Sequence, residues 1–155
     1  MKKVFFISST GGHLNELLQL KKTMSKYDSY LITEKTKSTE GLKKDFGNKV
    51  KFLKYGTKSH LSYIYIYPYD CIKSLIYFIK IRPKVVVTTG AHTCVFMCYL
   101  AKLFRRKVIY IETFANIKTK SMSGKLVYPI ADMFVVQWES MLNLYPKAVY
   151  GGWIF

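Results

Sequence analysis

Cysteine and acidic residues are scarce in this chain of 155 residues, and long apolar runs are missing. The three cysteines, Cys71, Cys94 and Cys98, form no even set for a disulfide framework and have no metal-ligand spacing with the three histidines. We expect reduced core cysteines in a cytoplasmic protein. Charged residues interrupt each apolar stretch well before the ~18 residues that a membrane span needs. The first apolar run ends at Ile7, too early for a signal peptide.

Familiar motifs for nucleotides and metals are also missing. No Gly-Lys-Ser/Thr follows the glycines near the N-terminus, so the chain has no P-loop, and it has no G-x-G-x-x-G fingerprint of a dinucleotide site. An Asp-x-Asp pair, which often binds a divalent cation, is absent too. We therefore expect no cofactor and no metal site.

Positive charge dominates the composition. The 25 Lys and Arg residues outnumber the 9 Asp and Glu residues, which gives a net charge of +16. Such a chain is attracted to polyanions, including nucleic acid, anionic lipid headgroups and phosphorylated substrates. No RRM, KH, helix-turn-helix or zinc-finger pattern is present, so nucleic acid is not the expected partner. Half of the residues are hydrophobic, enough for the core of one domain.

The N-terminal stretch contains the first candidate site. An apolar run over residues 4–7 leads into Ser8-Ser9-Thr10-Gly11-Gly12-His13. This order predicts a buried strand, a tight turn and a helix N-terminus. Free backbone N–H groups at such a turn favour an anion, and the glycines allow close approach. His13 could bond a phosphate or accept a proton. The alternative is an ordinary glycine turn with a surface histidine.

Two further strands end in similar polar turns. The apolar run 85–89 leads into Gly90-Ala91-His92, and the run 108–111 leads into Glu112. Strands that alternate with helices and are apolar on both faces predict an α/β fold, a Rossmann-like parallel sheet with helices on both faces. Because the carboxyl ends of parallel strands share one edge, the three turns should converge there, where such sheets bind ligands.

A tyrosine-rich segment over residues 60–69 suggests contact with a membrane. Its tyrosines alternate with isoleucines, and lysines such as Lys58 and Lys73 flank it. Tyrosine favours the boundary between water and lipid, and the lysines would attract anionic headgroups. A helix is predicted from Asp70 to Ile81, after Pro68. The alternative is a half-buried strand followed by a core helix.

Several motifs, in one order along nearly the whole chain, resemble a known family. They are Ser9-Thr10-Gly11-Gly12-His13, Thr89-Gly90-Ala91-His92-Thr93, Ile111-Glu112-Thr113-Phe114-Ala115, Ser123-Gly124-Lys125-Leu126, Tyr128-Pro129-Ile130-Ala131-Asp132, Gln137-Trp138 and Tyr145-Pro146-Lys147-Ala148-Val149-Tyr150-Gly151-Gly152. Together they look like the Alg14-like family. Its bacterial members include capsule and exopolysaccharide proteins of the PssD and Cps14F type.

The resemblance implies half of an enzyme. The family corresponds to the N-terminal, acceptor-side half of a GT-B glycosyltransferase similar to MurG, and a separate Alg13-like polypeptide binds the UDP-sugar. The implied chain is a single domain, 1–155, that holds a polyprenyl-diphosphate-linked saccharide and recruits its partner, the two together forming an inverting, metal-independent transferase. Eukaryotic relatives carry an N-terminal membrane span. This chain begins at its first strand, so we expect peripheral attachment to an anionic membrane surface, the cytoplasmic face of the plasma membrane. The alternative is an anchor borrowed from a partner.

Site roles follow from the resemblance as expectations. His13 is the first candidate for the catalytic base. Glu112 is a competing base, an orienting partner for His13 or a structural cap, and the base could also lie in the partner. The expected acceptor-binding residues are Ser9, Thr10, Gly11, Gly12, Gly90, His92, Thr93 and Asn116. The tail, residues 151–155, would dock the partner or fold back onto the core. A catalytically idle membrane anchor is the alternative function.

Overall fold

A computed structural model describes the backbone of residues 1–56 and 60–154 and the side chains of residues 1–56 and 64–154. Within that part of the chain, seven parallel strands form one sheet in the order β3-β2-β1-β4-β5-β6-β7. The strands are β1 Lys3–Ser8, β2 Asp28–Lys35, β3 Val50–Lys54, β4 Val85–Gly90, β5 Lys107–Ile111, β6 Met133–Val136 and β7 Val149–Tyr150. This confirms the predicted α/β fold with a parallel sheet.

Helices cover both faces of the sheet. They are α1 Gly12–Leu18, α2 Lys21–Met24, α3 Leu42–Phe46, α4 His60–Ile81, α5 His92–Leu103 and α6 Met122–Val127, with 3₁₀ turns at Gly47–Lys49 and Glu139–Asn143. One core cluster joins the sheet to α4, α5 and α6, and a second joins the opposite face to α1 and α2. Because side chains alternate along a strand, Phe5 lies in the first cluster and Phe6 in the second.

The tyrosine-rich segment is helical, which corrects the predicted helix start at Asp70. The helix α4 is 22 residues long and passes through Pro68. Helical spacing also explains the pattern: Asp70, Ser74 and Phe78 are buried, while the isoleucines and tyrosines on the opposite side are exposed. The side chain of Tyr63 and the whole of Lys58, both part of the membrane interpretation, lie outside the described residues.

The helical face predicted after the glycine turn is divided between two helices. The helix α1 ends at Leu18, and α2 begins at Lys21 after a turn. Leu14 and Leu17 are buried as the pattern predicts, and Met24 is buried from α2. Both helices pack on the same face of the sheet.

The strand order creates a crevice at one edge of the sheet. The chain proceeds from β1 outward to β2 and β3, then returns to place β4 on the other side of β1. Loops after β1 and β4 therefore lead away in opposite directions, which opens a space at the carboxyl ends of these strands. Because β5 lies next to β4, the three polar turns converge there as the sequence predicts.

Candidate functional site

A cavity of ≈ 380 Å³ lies where the carboxyl ends of β1, β4 and β5 meet. Its lining residues come from the first turns of α1, α5 and α6 and from the loop after β5. They are His13, Ala91, His92, Val95, Thr113, Ala115, Asn116, Ser121, Met122, Ser123 and Leu126. Three of the predicted site residues, His13, His92 and Asn116, thus meet in one cavity.

Two hydrogen bonds hold His13 against the end of β4. Its Nδ1 lies 2.9 Å from the carbonyl oxygen of Thr89, and the Thr89 hydroxyl donates to the carbonyl oxygen of His13 at 2.7 Å. A carbonyl oxygen can only accept, so Nδ1 carries the proton of the neutral ring. Nε2 is then the basic nitrogen of a residue that lines the cavity.

Gly90 permits this close packing. Its φ of +101° disfavours any residue with a side chain, and an added Cβ would come within 3.3 Å of the His13 ring. Ser9 joins the same two turns from the other side. Its N–H donates to the Gly90 carbonyl at 3.1 Å, and its hydroxyl accepts from the N–H of Ala91 at 3.3 Å. Gly90 and Ser9 therefore support the cavity from behind without lining it.

His92 lies beside a buried carboxylate that the sequence analysis missed. Its Nε2 is 3.8 Å from Glu34 Oε1. The other oxygen of Glu34 accepts from the N–H of Thr10 at 3.1 Å and from its hydroxyl at 3.2 Å. Glu34 therefore fixes the glycine turn and faces His92. Its position at the end of β2 was the available signal, but the sequence alone did not separate it from the polar loop that follows.

Glu112 is buried and accepts hydrogen bonds from three sides. The Thr113 N–H lies at 3.0 Å, the Tyr145 hydroxyl at 2.7 Å and the Ser121 N–H at 3.4 Å. Burial and the hydrogen bond to this carboxylate raise the pKa of Tyr145. Glu112 does not line the cavity, and no hydrogen bond joins it to His13 among the described residues. These contacts are those of a carboxylate that caps the loop after β5, one of the alternatives for Glu112.

A second buried carboxylate, Glu16 on α1, was also missed. It accepts from the Thr113 hydroxyl at 2.7 Å, the Phe114 N–H at 3.2 Å and the Gln137 amide at 3.1 Å. The Gln137 amide also donates to the Glu112 carbonyl, and its oxygen accepts from the Ile154 N–H at 3.2 Å. Glu16 and Gln137 thereby connect α1, the cavity loop after β5 and the C-terminal segment. No local motif marks such contacts.

The remaining predicted residues lie around the cavity. Gly11 and Gly12 are exposed where α1 begins, and Gly11 has a φ of +82°. Thr93 is buried, and its hydroxyl makes no hydrogen bond with the described residues. The helix α1 has only seven residues, so its dipole provides a small part of any attraction for an anion.

The described residues contain neither a metal site nor a membrane span. No group of three or more His, Cys, Asp and Glu side chains among them is arranged to hold a metal ion. No helix in that part of the chain has the length and apolar character to cross a bilayer.

Comparison with known proteins shows which family the chain resembles. The family model described as "Oligosaccharide biosynthesis protein Alg14 like" matches residues 4–154. A UDP-N-acetylglucosamine transferase subunit ALG14 from Yarrowia lipolytica is 31% identical over 175 residues, covering 97% of this chain and 80% of the relative. The subunit of the same name from Mus musculus is 30% identical over 177 residues, covering 97% and 82%.

Solved structures agree on the fold. MurG from Acinetobacter baumannii superimposes with a TM-score of 0.70 at 14% identity, covering 90% of this chain and 43% of MurG. UDP-GlcNAc 2-epimerase from Methanocaldococcus jannaschii gives 0.72 at 17% identity, covering 94% and 42%. This chain spans less than half the length of either protein, and identities this low show the fold alone. From the family match over residues 4–154 and the relatives aligned along almost its whole length, the chain belongs to the Alg14 family.

Proposed function

We propose that this chain is the acceptor-binding and membrane-recruiting subunit of a two-component, UDP-sugar-dependent glycosyltransferase. Its partner would be an Alg13-like subunit that binds the UDP-sugar, and its acceptor a polyprenyl-diphosphate-linked saccharide of capsule or exopolysaccharide synthesis. The observation that carries the proposal is the basic Nε2 of His13 in a cavity at the carboxyl edge of the sheet. Membership of a family whose relatives are named as UDP-N-acetylglucosamine transferase subunits supports it.

The name of the relatives, UDP-N-acetylglucosamine transferase subunit, supports a division of labour between two polypeptides. The MurG and epimerase chains with the same fold are more than twice as long as the part that this chain matches. The second half of the cleft would come from the partner, which would bring the UDP-sugar to the cavity. Trp153 offers a docking point, because its ring is 61% exposed and rests on Phe114 and Trp138.

The tail, residues 151–155, also packs against its own domain. Docking of the partner and folding back onto the core are therefore compatible. Ile154 is partly buried against the core cluster below α1, and its N–H bonds to Gln137. Trp153 remains accessible beside it. Phe155 lies outside the described residues.

The proposed reaction is a single displacement with inversion. His13 Nε2 takes the proton of the acceptor hydroxyl while the oxygen attacks the anomeric carbon of the UDP-sugar. The bond from that carbon to the diphosphate oxygen breaks, and UDP leaves with the electron pair. The hydrogen bond from Nδ1 to Thr89 holds the ring in place and stabilises the imidazolium that forms.

The acceptor diphosphate would lie on the rim next to His13. Gly11 and Gly12 are exposed next to His13 in the chain, a Cβ at either would meet no atom within 4 Å, and His92 lines the same cavity. Thr10 would act through Glu34, which accepts from its N–H and its hydroxyl. The net charge of +16 adds a long-range attraction for the diphosphate. In this proposal Glu112 is a positioning residue that shapes the loop after β5 and does not touch the acceptor.

Membrane recruitment would use the outer face of α4. Five exposed apolar or aromatic residues at helical spacing form one stripe there: Tyr65, Tyr69, Ile72, Ile76 and Ile79. Lys54 and Lys73 lie 4.1 Å and 5.3 Å from the centre of the Tyr69 ring, so cations border the stripe. A helix with an apolar face bordered by lysines lies flat in the headgroup region of an anionic membrane, here the cytoplasmic face of the plasma membrane.

The test is reconstituted transfer from radiolabelled UDP-sugars to a lipid-linked acceptor in membranes. This chain, the Alg13-like partner and the two together are compared at equal concentrations. The proposal predicts transfer only when both are present. Equal transfer by the partner alone would leave this chain the role of a membrane anchor, which the exposed stripe of α4 by itself would also support.

A further inference from the structure

The cavity continues into an apolar strip on the surface of α5 and α6. On α5, Val95 lines the cavity, and Tyr99 and Leu103 follow it at successive steps of four residues. Residues four apart on a helix share a face, so the three form a line away from the cavity. Tyr99 is 45% exposed and Leu103 is 75% exposed, which leaves this line open to a ligand.

The helix α6 forms the other side of the strip. Met122 and Leu126 both line the cavity and both remain exposed, Met122 by 74% and Leu126 by 45%. The Tyr99 hydroxyl donates to the Leu126 carbonyl at 3.0 Å, so the two helices are held side by side at this point. Since the backbone contact uses the polar end of Tyr99, its ring remains as apolar surface.

The cavity lining combines two kinds of side chain. Histidine, threonine, asparagine and serine side chains contribute one part, at His13, His92, Thr113, Asn116, Ser121 and Ser123. Val95 on α5 and Met122 and Leu126 on α6 contribute apolar side chains, and the strip continues from them. A lining that joins polar side chains to an apolar strip matches an amphiphile with an anionic head and a hydrocarbon chain.

We propose that the strip Val95–Tyr99–Leu103 with Met122 and Leu126 binds the hydrocarbon chain of the lipid-linked acceptor, starting at the carbons next to the diphosphate. This inference rests on the proposed function for the identity of the head group. The strip spans 9 residues of α5, or about 12 Å at the rise of a helix, enough for the first few isoprene units. Further units would pass on to the bilayer.

The position of the strip fits this path. The helices α4, α5 and α6 pack on the same face of the sheet, and the ring of Phe78 on α4 contacts that of Phe104 at the end of α5 at 5.2 Å. The hydrocarbon chain of the acceptor would thus leave the cavity on the side of the molecule that carries the membrane stripe of α4. The protein would then hold the head group and the first isoprene units while the rest of the lipid stays in the membrane.

The experiment measures equilibrium binding of farnesyl diphosphate to the full chain in buffer without vesicles or partner. Inorganic diphosphate is the reference ligand. Each buried methylene adds several-fold to affinity, so farnesyl diphosphate is expected to bind at least about 100-fold more tightly than inorganic diphosphate. The double variant Met122→Gln/Leu126→Gln, which keeps side-chain size, should reduce that advantage by about tenfold and leave inorganic diphosphate unaffected.

Met133→Gln is the matched control, because Met133 is exposed by 43% at the start of β6, at the opposite edge of the sheet. Its binding of both ligands should equal that of the wild-type chain. Equal affinity for farnesyl diphosphate and inorganic diphosphate would overturn the inference. It would also be overturned if Met133→Gln lost as much affinity for farnesyl diphosphate as Met122→Gln/Leu126→Gln. The transfer assay could fail while farnesyl diphosphate still binds more tightly than inorganic diphosphate and Met122→Gln/Leu126→Gln weakens this preference. That result would reject the proposed function and retain the lipid site.

Discussion

His13 and Thr89 hold each other by two hydrogen bonds, and the proposed chemistry of the cavity depends on this pair. The ring donates to a carbonyl that is part of β4, so its orientation depends on the sheet and not on a mobile side chain. The Thr89 hydroxyl returns a bond to the first turn of α1. Gly90, with no Cβ, leaves room for the ring. As the proposed base, a ring held in this way would lose little conformational entropy when the acceptor binds.

Replacing His13 tests its proposed role as the base. We expect His13→Ala and His13→Gln to lower the rate of transfer by the two-component enzyme by about 10²-fold or more, because the acceptor hydroxyl loses its proton acceptor. Binding to the partner and to vesicles should not change. The rate is measured at saturating UDP-sugar. Full activity in either variant would place the base elsewhere, the partner subunit included.

Two glycines at the site should respond oppositely to alanine. A Cβ on Gly12 meets no atom within 4 Å, so Gly12→Ala should raise stability by up to ~1 kcal/mol through helix propensity. It should nonetheless weaken acceptor binding, since the methyl group stands on the rim. Gly124→Ala should cost about 1–3 kcal/mol, because its Cβ would overlap Glu112, Tyr145 and Ser121. Urea unfolding and the KM for the acceptor separate the two effects. An unchanged KM in Gly12→Ala would remove Gly12 from the proposed acceptor site.

At the scale of elements, two buried side chains join parts of the chain that no regular structure connects. Glu16 links α1 to the loop after β5, and Gln137 links that pair to the segment that follows β7. The rings of Phe114, Trp138 and Trp153 pack on one another beside this network, at centroid distances of 4.8–5.3 Å. The cavity wall and the proposed docking point of the partner are therefore parts of one packed unit.

Exchanging these two side chains tests the network. Glu16→Gln should destabilise the protein by about 1–3 kcal/mol, because a buried amide donor then faces another donor. Gln137→Glu should cost more, since it places two carboxylates together. The double variant restores one donor–acceptor pair, so its loss in urea unfolding should be smaller than the sum of the single losses. Additive losses would show that the two side chains do not interact.

Asp132 lies just before β6, and its carboxyl group should make the stability of the protein depend on pH. Burial alone would raise the pKa of this carboxyl, but hydrogen bonds from Lys107, the Val108 N–H and Lys102 outweigh it and lower the pKa to about 2. A lowered folded-state pKa stabilises the protein above the unfolded value near 4, and this contribution is lost as pH falls toward 2.

The expected loss for Asp132→Asn is therefore about 1 kcal/mol at pH 7, after allowance for solvent around the lysines, and less at pH 3. Urea midpoints at the two pH values measure it. Asp45→Asn is the control, since its pair with Lys21 is exposed on both sides and should contribute almost nothing. A constant difference between pH 7 and pH 3 would contradict the assigned cause.

At the scale of the whole molecule, the two proposed functions would use two different surfaces. The carboxyl edge of the sheet holds the polar cavity, and the outer surface of α4, α5 and α6 carries the exposed apolar side chains. The surplus of lysine and arginine gives the molecule a strong positive field. A protein of this kind would approach an anionic bilayer by charge and remain there by insertion of apolar side chains.

Vesicle binding tests this arrangement. We expect binding to vesicles with anionic phospholipid that weakens as salt rises from 0.05 to about 0.5 M, because screening shortens the reach of the charges. Ile72→Glu/Ile76→Glu should lower affinity by at least about tenfold more than Met133→Glu/Val149→Glu, which adds the same charge at exposed positions outside α4. Equal losses in the two variants would show that charge alone, without the stripe, binds the membrane.

The local pattern of the sequence was sufficient to predict the sheet and the edge at which the polar turns meet. Apolar strands that alternate with helices predicted the parallel sheet, and polar turns after β1, β4 and β5 predicted the edge at which His13, His92 and Asn116 meet. Both predictions follow from periodicity and from the chirality of strand connections, which operate over a few residues or over one strand–helix–strand unit. The residue order therefore determined the fold class and the edge of the sheet at which the cavity lies.

Only the tertiary structure decided which polar residues support that site. Glu16 meets Thr113 across 97 positions of the sequence and Gln137 across 121, and neither pairing has a local signature. Glu112, one of the candidate bases, is a buried carboxylate that accepts from three donors. Packing on one side of α4 makes a single helix of a segment with alternating tyrosines. The physical reason for the long-range polar pairings is that a buried polar group must find its partners wherever the fold places them.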